Sequence, residues 1–314
     1  MVDVPVYYFV GDSIGAGNSP GDTFSLTVND EQYFYGAVPN ALIWDPDVAG
    51  GGAAKTFRPY NIADLPNPAD ITSGRRKLIG MELGFIQQAA KKEALLGAWL
   101  VKFLRPGIVG NSVFATERRW QKAANDAYAE FLTLRNDAHA WLAQNPVYQR
   151  KARAIIVSMG WYDARFYAAN VDTFYANFRQ WIADLRADLA TGTPADLPVI
   201  AHSVRGRRFA PDGLQPDDAV WNRMVACNDA LRRLEYVDPK FKLVDWSDLR
   251  TSLQIPVTFG VEDQNPPVAM ADEMKKRGAG KDVITKIYQD AGHAFLAQQP
   301  LTADDVAHVL LGEG

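Results

Sequence analysis

The sequence contains a single cysteine, Cys227, among 314 residues, so no disulfide can form within the chain and no CxxC metal or redox motif is present. It also lacks any apolar run near the roughly 20 residues that a membrane-spanning helix requires. The apolar run from Val4 to Val10 has no basic leader and is too short for the core of a signal peptide. We therefore expect a protein that is not exported by a cleaved signal and that resides in the cytoplasm or, for a phage protein, in the virion.

Neither sign of charge is in large excess. The chain has 33 Lys and Arg against 37 Asp and Glu, a formal net charge of −4, and so lacks the positive charge that drives binding to nucleic-acid phosphates. No HExxH motif, EF-hand loop or His/Cys cluster occurs, so we expect no metal and no cofactor. With 47% hydrophobic residues, the chain is able to bury a large core. We expect a single domain over residues 1–314 that binds neither nucleic acid nor membrane.

Apolar strand-like segments alternate with amphipathic helical segments along the chain. The predicted strands are Pro5–Val10, Trp99–Leu104, Ala154–Ser158, Leu197–Ser203 and Lys242–Val244. The predicted helices are Met81–Leu96, Glu117–Gln144, Asp172–Leu189 and Asp217–Leu234. This alternation predicts a three-layer α/β/α sandwich with a mainly parallel sheet.

Two long stretches interrupt this pattern and are interpreted as insertions. Residues 18–75 are rich in Gly, Pro, Asp and Asn, and they predict an elaborated loop with short strands. Residues 205–287 form the second insertion, and the part from Pro256 to Ile287 stays unassigned, because two Pro-containing pieces bracket a short helical pattern at Val268–Lys276.

The strongest local signal is the segment Gly11–Gly17, GDSIGAG, directly after the first predicted strand. In open α/β sheets, ligands bind at the carboxyl ends of the strands. A serine on a tight turn among small residues exposes its hydroxyl and lies close to backbone N–H groups that can stabilise an oxyanion. Ser13 is thus a candidate nucleophile, although an ordinary Gly-rich turn has the same composition. The glycine intervals fit neither GxxxxGK[ST] nor GxGxxG, which argues against a phosphate loop.

A serine nucleophile needs a base, and the chain offers only four histidines. His139 and His308 fall inside helical patterns and are interpreted as surface or packing residues. His293 follows Asp290 by three residues in an irregular segment, where the carboxylate can fix the tautomer that leaves Nε2 free to accept a proton. His202, near the end of a predicted strand, is the alternative base.

The order of three short blocks resembles that of the SGNH/GDSL hydrolases. These blocks are GDS near the N-terminus, Gly160-x-x-Asp163 after a buried strand, and Asp290-x-x-His293 near the C-terminus. The chain is similar in particular to the sialate O-acetylesterase-like branch, carbohydrate esterase family 6. Further similar pieces are Val38–Trp44, Gly80–Phe85, Lys102–Gly107 and Leu243–Asp245.

The resemblance implies a serine esterase that removes acetyl or other small acyl groups from carbohydrate. Ser13 would be the nucleophile, His293 the base and Asp290 its orienting acid, with Asp12 as an organiser of the turn.

The oxyanion would be held by the backbone N–H groups of Ser13 and Gly107. Where this branch has Gln-Gly-Glu, the chain has Met159-Gly160-Trp161, which removes an amide donor. The side chain of Asn111 is the candidate replacement, and helix capping or loop organisation is its alternative role.

Asp163 has three interpretations. It could be a turn or helix-start carboxylate, an organiser of the active-site loops, or the triad acid in place of Asp290. The basic segment Arg205–Arg208 is interpreted as a solvated turn, with recognition of a carboxylate-bearing sugar as the alternative.

Four aromatic residues are candidates for stacking on sugar rings, with core packing as the alternative: Tyr33, Tyr35, Trp44 and Trp161. Two other functions remain open. A protein that kept the fold and lost catalysis would bind glycans on a cell surface or virus particle, and an acyltransferase would pass the acyl group from the same serine to a sugar hydroxyl.

Overall fold

The computed structural model contains a central sheet of seven strands flanked by helices. It describes residues 1–11, 19–20, 37–46, 55–61, 78–79, 86, 89–90, 92–93, 96–104, 108–109, 119–124, 126–166, 171–204 and 218–244.

The main sheet has the strand order β4-β3-β6-β1-β7-β8-β9, and every neighbouring pair except β3–β4 is parallel. Its strands are β1 (Val2–Gly11), β3 (Ala37–Asp45), β4 (Thr56–Asn61), β6 (Ala98–Leu104), β7 (Tyr148–Ser158), β8 (Val199–His202) and β9 (Phe241–Val244). Two further two-residue strands, β2 (Ser19–Pro20) and β5 (Leu78–Ile79), pair antiparallel with each other. The predicted α/β fold with a mainly parallel sheet is confirmed.

Three long helices cover one side of the sheet, which we call the first face. They are α1 (Ala127–Ala143), α3 (Val171–Leu189) and α4 (Asp218–Val237), and a short helix, α2 (Trp161–Phe166), follows β7. Alternate residues of the strands point to this face, as the two-residue period of a strand requires. In β1 these are Val4, Val6, Tyr8 and Val10, all fully buried in one cluster with the helices.

The opposite side, the second face, is also buried. Tyr7 and Phe9 of β1 point there and are inaccessible to solvent. Glu93, which directly follows helical residue 92, lies on this side and accepts a hydrogen bond from the Tyr7 hydroxyl at 2.9 Å. Glu93 also forms an ion pair with Arg153. The central strands are therefore buried and apolar on both faces, as parallel strands typically are.

The helix predicted over Glu117–Gln144 begins later than expected. Residues 119–121 are not helical, Lys122–Ala124 form one 3₁₀ turn, and α1 begins at Ala127. Trp120 explains the difference: it is fully buried, and its backbone N–H donates to the carbonyl of Ile108 at 2.8 Å. Continuing the helix through Trp120 would break this contact.

The range 18–75 contributes more than loop, because β3 and β4 belong to the main sheet. β3 pairs parallel with β6, and β4 closes that edge of the sheet as an antiparallel strand. Of the range 205–287, the structure describes only residues 218–244, which form α4, the turn after it, and β9.

Candidate active site

The carboxyl ends of the central strands lie in one row. Gly11, the last residue of β1, pairs with Leu104 of β6 on one side and with Ser158 of β7 on the other. The next strand of the main sheet after β1 is β3, on the β6 side of β1, and after β6 the chain continues to β7 on the opposite side. This change of direction makes the end of β1 a topological switch point, the place where open α/β sheets form their ligand crevice. β6, which ends at Leu104, runs parallel beside β1.

Gly11 is required where β1 ends. Its φ is +145°, and a Cβ built on it would lie 1.8 Å from the carbonyl oxygen of Ser158. Any side chain would therefore collide with the backbone of β7. Asp12 and Ser13 follow Gly11 directly in the sequence and lie outside the described residues.

Asp163 is fully buried in the first turn of α2. Its carboxylate accepts the backbone N–H of Val109, with Oδ1 at 3.2 Å and Oδ2 at 3.3 Å. Val109 lies beyond the end of β6, whereas α2 follows β7. Asp163 therefore links the segments that follow the two strands on either side of β1.

Cys227 of α4 lies beside this carboxylate. Burial raises the pKa of its thiol well above the ordinary value, the negative charge of Asp163 raises it further, and Arg223 opposes the shift. The thiol stays protonated at neutral pH and is in contact with the carbonyl of Gly160, with Sγ 3.9 Å from the oxygen. Cys227 is thus a packing residue and not a nucleophile, since the thiolate is the reactive form.

Two further residues of α4 hold backbone at the same edge of the sheet. Arg223 Nε donates to the carbonyl of Ala164 at 2.5 Å. Asn228 binds both backbone groups of Val204, accepting its N–H at 2.6 Å and donating to its carbonyl at 2.9 Å. The sequence prediction missed both residues. The available signal was the presence of these polar residues next to the buried apolar positions of α4, Met224 and Cys227.

Most of the predicted site residues lie outside the described part of the chain, so their arrangement stays a prediction. These are Asp12, Ser13, Tyr33, Tyr35, Gly107, Asn111, Asp290 and His293. Of the others, Trp161 begins α2.

Trp44 is only 3% exposed, and its ring packs edge-on against Phe57 with the centroids 5.2 Å apart. In that position it is part of the core, and its faces are not open to a sugar. Met159 is also buried in the core cluster, so its side chain points into the protein interior.

The described residues contain no group of three or more His, Cys, Asp or Glu side chains that could hold a metal ion. His139 is a packing residue whose Nε2 lies 2.7 Å from the Tyr8 hydroxyl. His202 is the last residue of β8. Within the described ranges, no helix has the length and apolar character needed to cross a membrane.

The sequence matches no protein-family model and no curated protein sequence. A crystal structure of a protein from Arabidopsis thaliana is similar with a TM-score of 0.56 at 12% identity, covering 93% of this chain and 98% of that one. The carbohydrate acetylesterase Est24 from Sinorhizobium meliloti gives 0.39 at 11% identity, covering 78% and 85%. A family two carbohydrate esterase from Clostridium thermocellum gives 0.34 at 12% identity, covering 87% and 61%. The likeness to the Arabidopsis protein concerns the fold alone, and the other two scores are too low to carry an argument.

Proposed function

We propose that this protein is a serine esterase of the SGNH/GDSL type, close to the sialate O-acetylesterase-like branch, that removes acetyl or similar small acyl groups from carbohydrate. The observation that carries the proposal is the position of Gly11 at the switch point, between the ends of β6 and β7. Ser13 follows Gly11 by two residues. A nucleophile at this place would stand where α/β sheets bind their ligands.

In the proposed mechanism, Ser13 Oγ attacks the ester carbonyl while His293 accepts the hydroxyl proton. Asp290 orients the imidazole and stabilises the imidazolium that forms. The backbone N–H groups of Ser13 and Gly107 and the side chain of Asn111 hold the oxyanion of the tetrahedral intermediate. The alcohol leaves as His293 returns the proton, and water then releases the acyl group from Ser13 by the same steps.

Hydrolysis of p-nitrophenyl acetate tests the proposal. We expect Ser13→Ala to lower kcat by about 10³-fold or more without loss of the fold, because the members of a triad act as a unit. His293→Ala should be comparably damaging, whereas His202→Ala should leave kcat nearly unchanged.

Turnover that survives Ser13→Ala would contradict the proposal. Loss of activity in His202→Ala instead of His293→Ala would place the base at the end of β8. If the wild-type protein binds glycans but hydrolyses no ester, it is a glycan-binding protein that kept the fold and lost catalysis. Transfer of the acyl group to an added sugar acceptor would identify an acyltransferase.

A further inference from the structure

We propose that Asp163 is a positioning residue of this esterase, which acts by holding the segment after β6 in place through the backbone N–H of Val109. The inference rests on the proposed function. It goes further by assigning the post-β6 segment a fixed position that depends on one carboxylate.

The hydrogen bond spans the switch point. Asp163 belongs to α2, which follows β7, and Val109 lies five residues beyond the end of β6. Because β6 and β7 flank β1, this contact joins the two segments on either side of the strand that ends at Gly11. A change in the contact would therefore alter the walls of the crevice while leaving the strand pairing intact.

The segment that Asp163 holds is also fixed from its other side. Ile108 and Val109 are buried, and the carbonyl of Ile108 accepts the backbone N–H of Trp120 at 2.8 Å. The Trp120 ring packs against Phe103 of β6 and Trp181 of α3, with centroids 5.5 Å and 5.6 Å apart. Asp163 and Trp120 thus hold Ile108–Val109 in place together.

The helix that carries Asp163 is itself anchored. Arg223 binds the carbonyl of Ala164, and the thiol of Cys227 contacts the carbonyl of Gly160. Both anchors come from one side of α4, since residues four apart share a helix face. The position of Val109 is therefore set by side chains of α2 and α4.

A carboxylate at this buried position is costly, because it loses its hydration. A neutral side chain could accept the same N–H at lower cost. The carboxylate offers a charge-assisted hydrogen bond, which is roughly twice as strong as a neutral one. We infer that this strength is used for position, because Gly107 and Asn111 are each only two residues from Val109 in the sequence. A shift of about 1 Å in a catalytic group can cost about 100-fold in rate.

The test compares Asp163→Ala and Asp163→Asn in ester hydrolysis. We expect Asp163→Ala to lower kcat about 100-fold with KM within about 3-fold, because oxyanion donors act in the transition state. Asp163→Asn keeps one acceptor oxygen, and we expect it to lower kcat only about 10-fold. Amide exchange in a peptide that contains Val109 should be faster in both variants, which reports the tether independently of activity.

Asp238→Asn is the matched control. Asp238 also accepts a backbone N–H, that of Lys240 at 2.9 Å, but it precedes β9 at the opposite end of the sheet. This variant also weakens the ion pair between Asp238 and Arg186 and should be less stable, but we expect its kcat to stay within about 2-fold of the wild type because Asp238 lies away from the carboxyl ends of the strands. If Asp163→Ala does not fold, kcat is compared between Asp163→Asn and Asp238→Asn.

Faster exchange at Val109 with unchanged kcat would overturn the positioning role while leaving the esterase proposal intact. An equal loss of kcat in Asp238→Asn would show that substituting Asp163 only destabilises the fold in general. That result would also overturn the positioning role. Wild-type activity that is absent, or that survives Ser13→Ala, would overturn the esterase proposal and with it this inference.

Discussion

Gly160 shows how closely the backbone is packed where β7 turns into α2. Its φ is +118°, and a Cβ at this position would lie 2.6 Å from Val204 Cγ2 and 3.3 Å from Phe174 Cζ. Both the backbone conformation and the space therefore require glycine. The same residue accepts the contact from Cys227 and precedes the helix of Asp163.

We expect Gly160→Ala to lower the free energy of unfolding by about 2–4 kcal/mol, because backbone strain and overpacking each cost about 1–3 kcal/mol. Denaturant unfolding measures this change. Gly192→Ala is the control, since a Cβ there would meet nothing within 4 Å, and its effect should stay within about 0.5 kcal/mol. Equal stability of the two variants would contradict the steric account.

At the residue scale, the sequence predicts positions that carry a recognisable chemistry and misses those that only hold backbone. Asp163 could be singled out because a carboxylate follows a buried strand at a short interval. Asn228 and Arg223 give only the weak signal of polar residues next to buried positions of α4, because their role depends on the fold bringing α4 against Val204 and Ala164. Trp44 shows the converse, since an aromatic ring in a Gly-rich range could not be assigned to core or surface until its packing against Phe57 was seen.

At the scale of elements, a polar network lies between β1, β7 and α1. The Tyr8 hydroxyl lies 2.7 Å from His139 Nε2 and accepts a hydrogen bond from Arg150 Nη1 at 2.9 Å. Arg150 also donates to the carbonyl of Leu189 at 2.7 Å. Burial lowers the pKa of His139 to about 3, and the charges of Arg150 and Arg135 act in the same direction. The imidazole is therefore neutral, and in the tautomer that carries its proton on Nδ1 the Nε2 atom accepts from the Tyr8 hydroxyl.

The network predicts a loss of stability in acid. A histidine whose pKa falls on folding binds fewer protons in the folded than in the unfolded state, so the free energy of unfolding falls as the pH drops below about 6.5. The loss continues toward pH 3, at up to about 1.4 kcal/mol per pH unit. We expect the wild type to lose about 1–2 kcal/mol between pH 6.5 and 5 from this residue.

The measurement is denaturant unfolding at several pH values for the wild type and for His139→Gln. Glutamine does not titrate, yet its carbonyl can still accept from Tyr8. We therefore expect a flatter pH dependence in the variant above pH 5, where most carboxylates are already ionised. Parallel profiles for the two proteins would show that His139 does not titrate on unfolding.

The same network explains why β7 was predicted only in part. Its second half, Ala154–Ser158, is apolar and was predicted from its composition, but the strand begins at Tyr148. Its first half contains Arg150 and Arg153, whose charged groups are bound by Tyr8 and Glu93. An arginine that buries its aliphatic stem and pairs its charge looks in the sequence like an exposed polar residue. This half of the strand could therefore be recognised only from the groups that bind its arginines.

At the scale of the whole molecule, the alternation of strands and helices in the sequence predicts a parallel sheet. The observed pairing of the strands then shows which residues lie at the end of each strand. The strand order could not be read from the sequence, because it depends on long-range pairing and on β3 and β4, the two strands of the main sheet within residues 18–75. In this arrangement the carboxyl ends carry the candidate site. We expect the contacts at the amino ends to stabilise the fold without affecting the site, so that the two roles are separable by substitution.

Arg186 of α3 is the clearest contact at the amino ends. Its side chain is 10% exposed, its Nε donates to the carbonyl of Leu197 just before β8, and its Nη1 lies 2.5 Å from Asp238 Oδ2. We expect Arg186→Ala to lower the free energy of unfolding by about 3 kcal/mol, because it leaves a partly buried carboxylate without its partner.

The exposed Arg179 of the same helix provides the control, and Arg179→Ala should change stability by less than about 0.5 kcal/mol. The kcat of Arg186→Ala, measured below its melting temperature, should equal that of the wild type, since the length of β8 separates Leu197 from the carboxyl edge, about 15 Å at 3.3 Å per residue. A fall in kcat without a fall in stability would contradict the separation of roles. It would mean that the amino ends of the sheet also determine the geometry of the site, through β8 or α4.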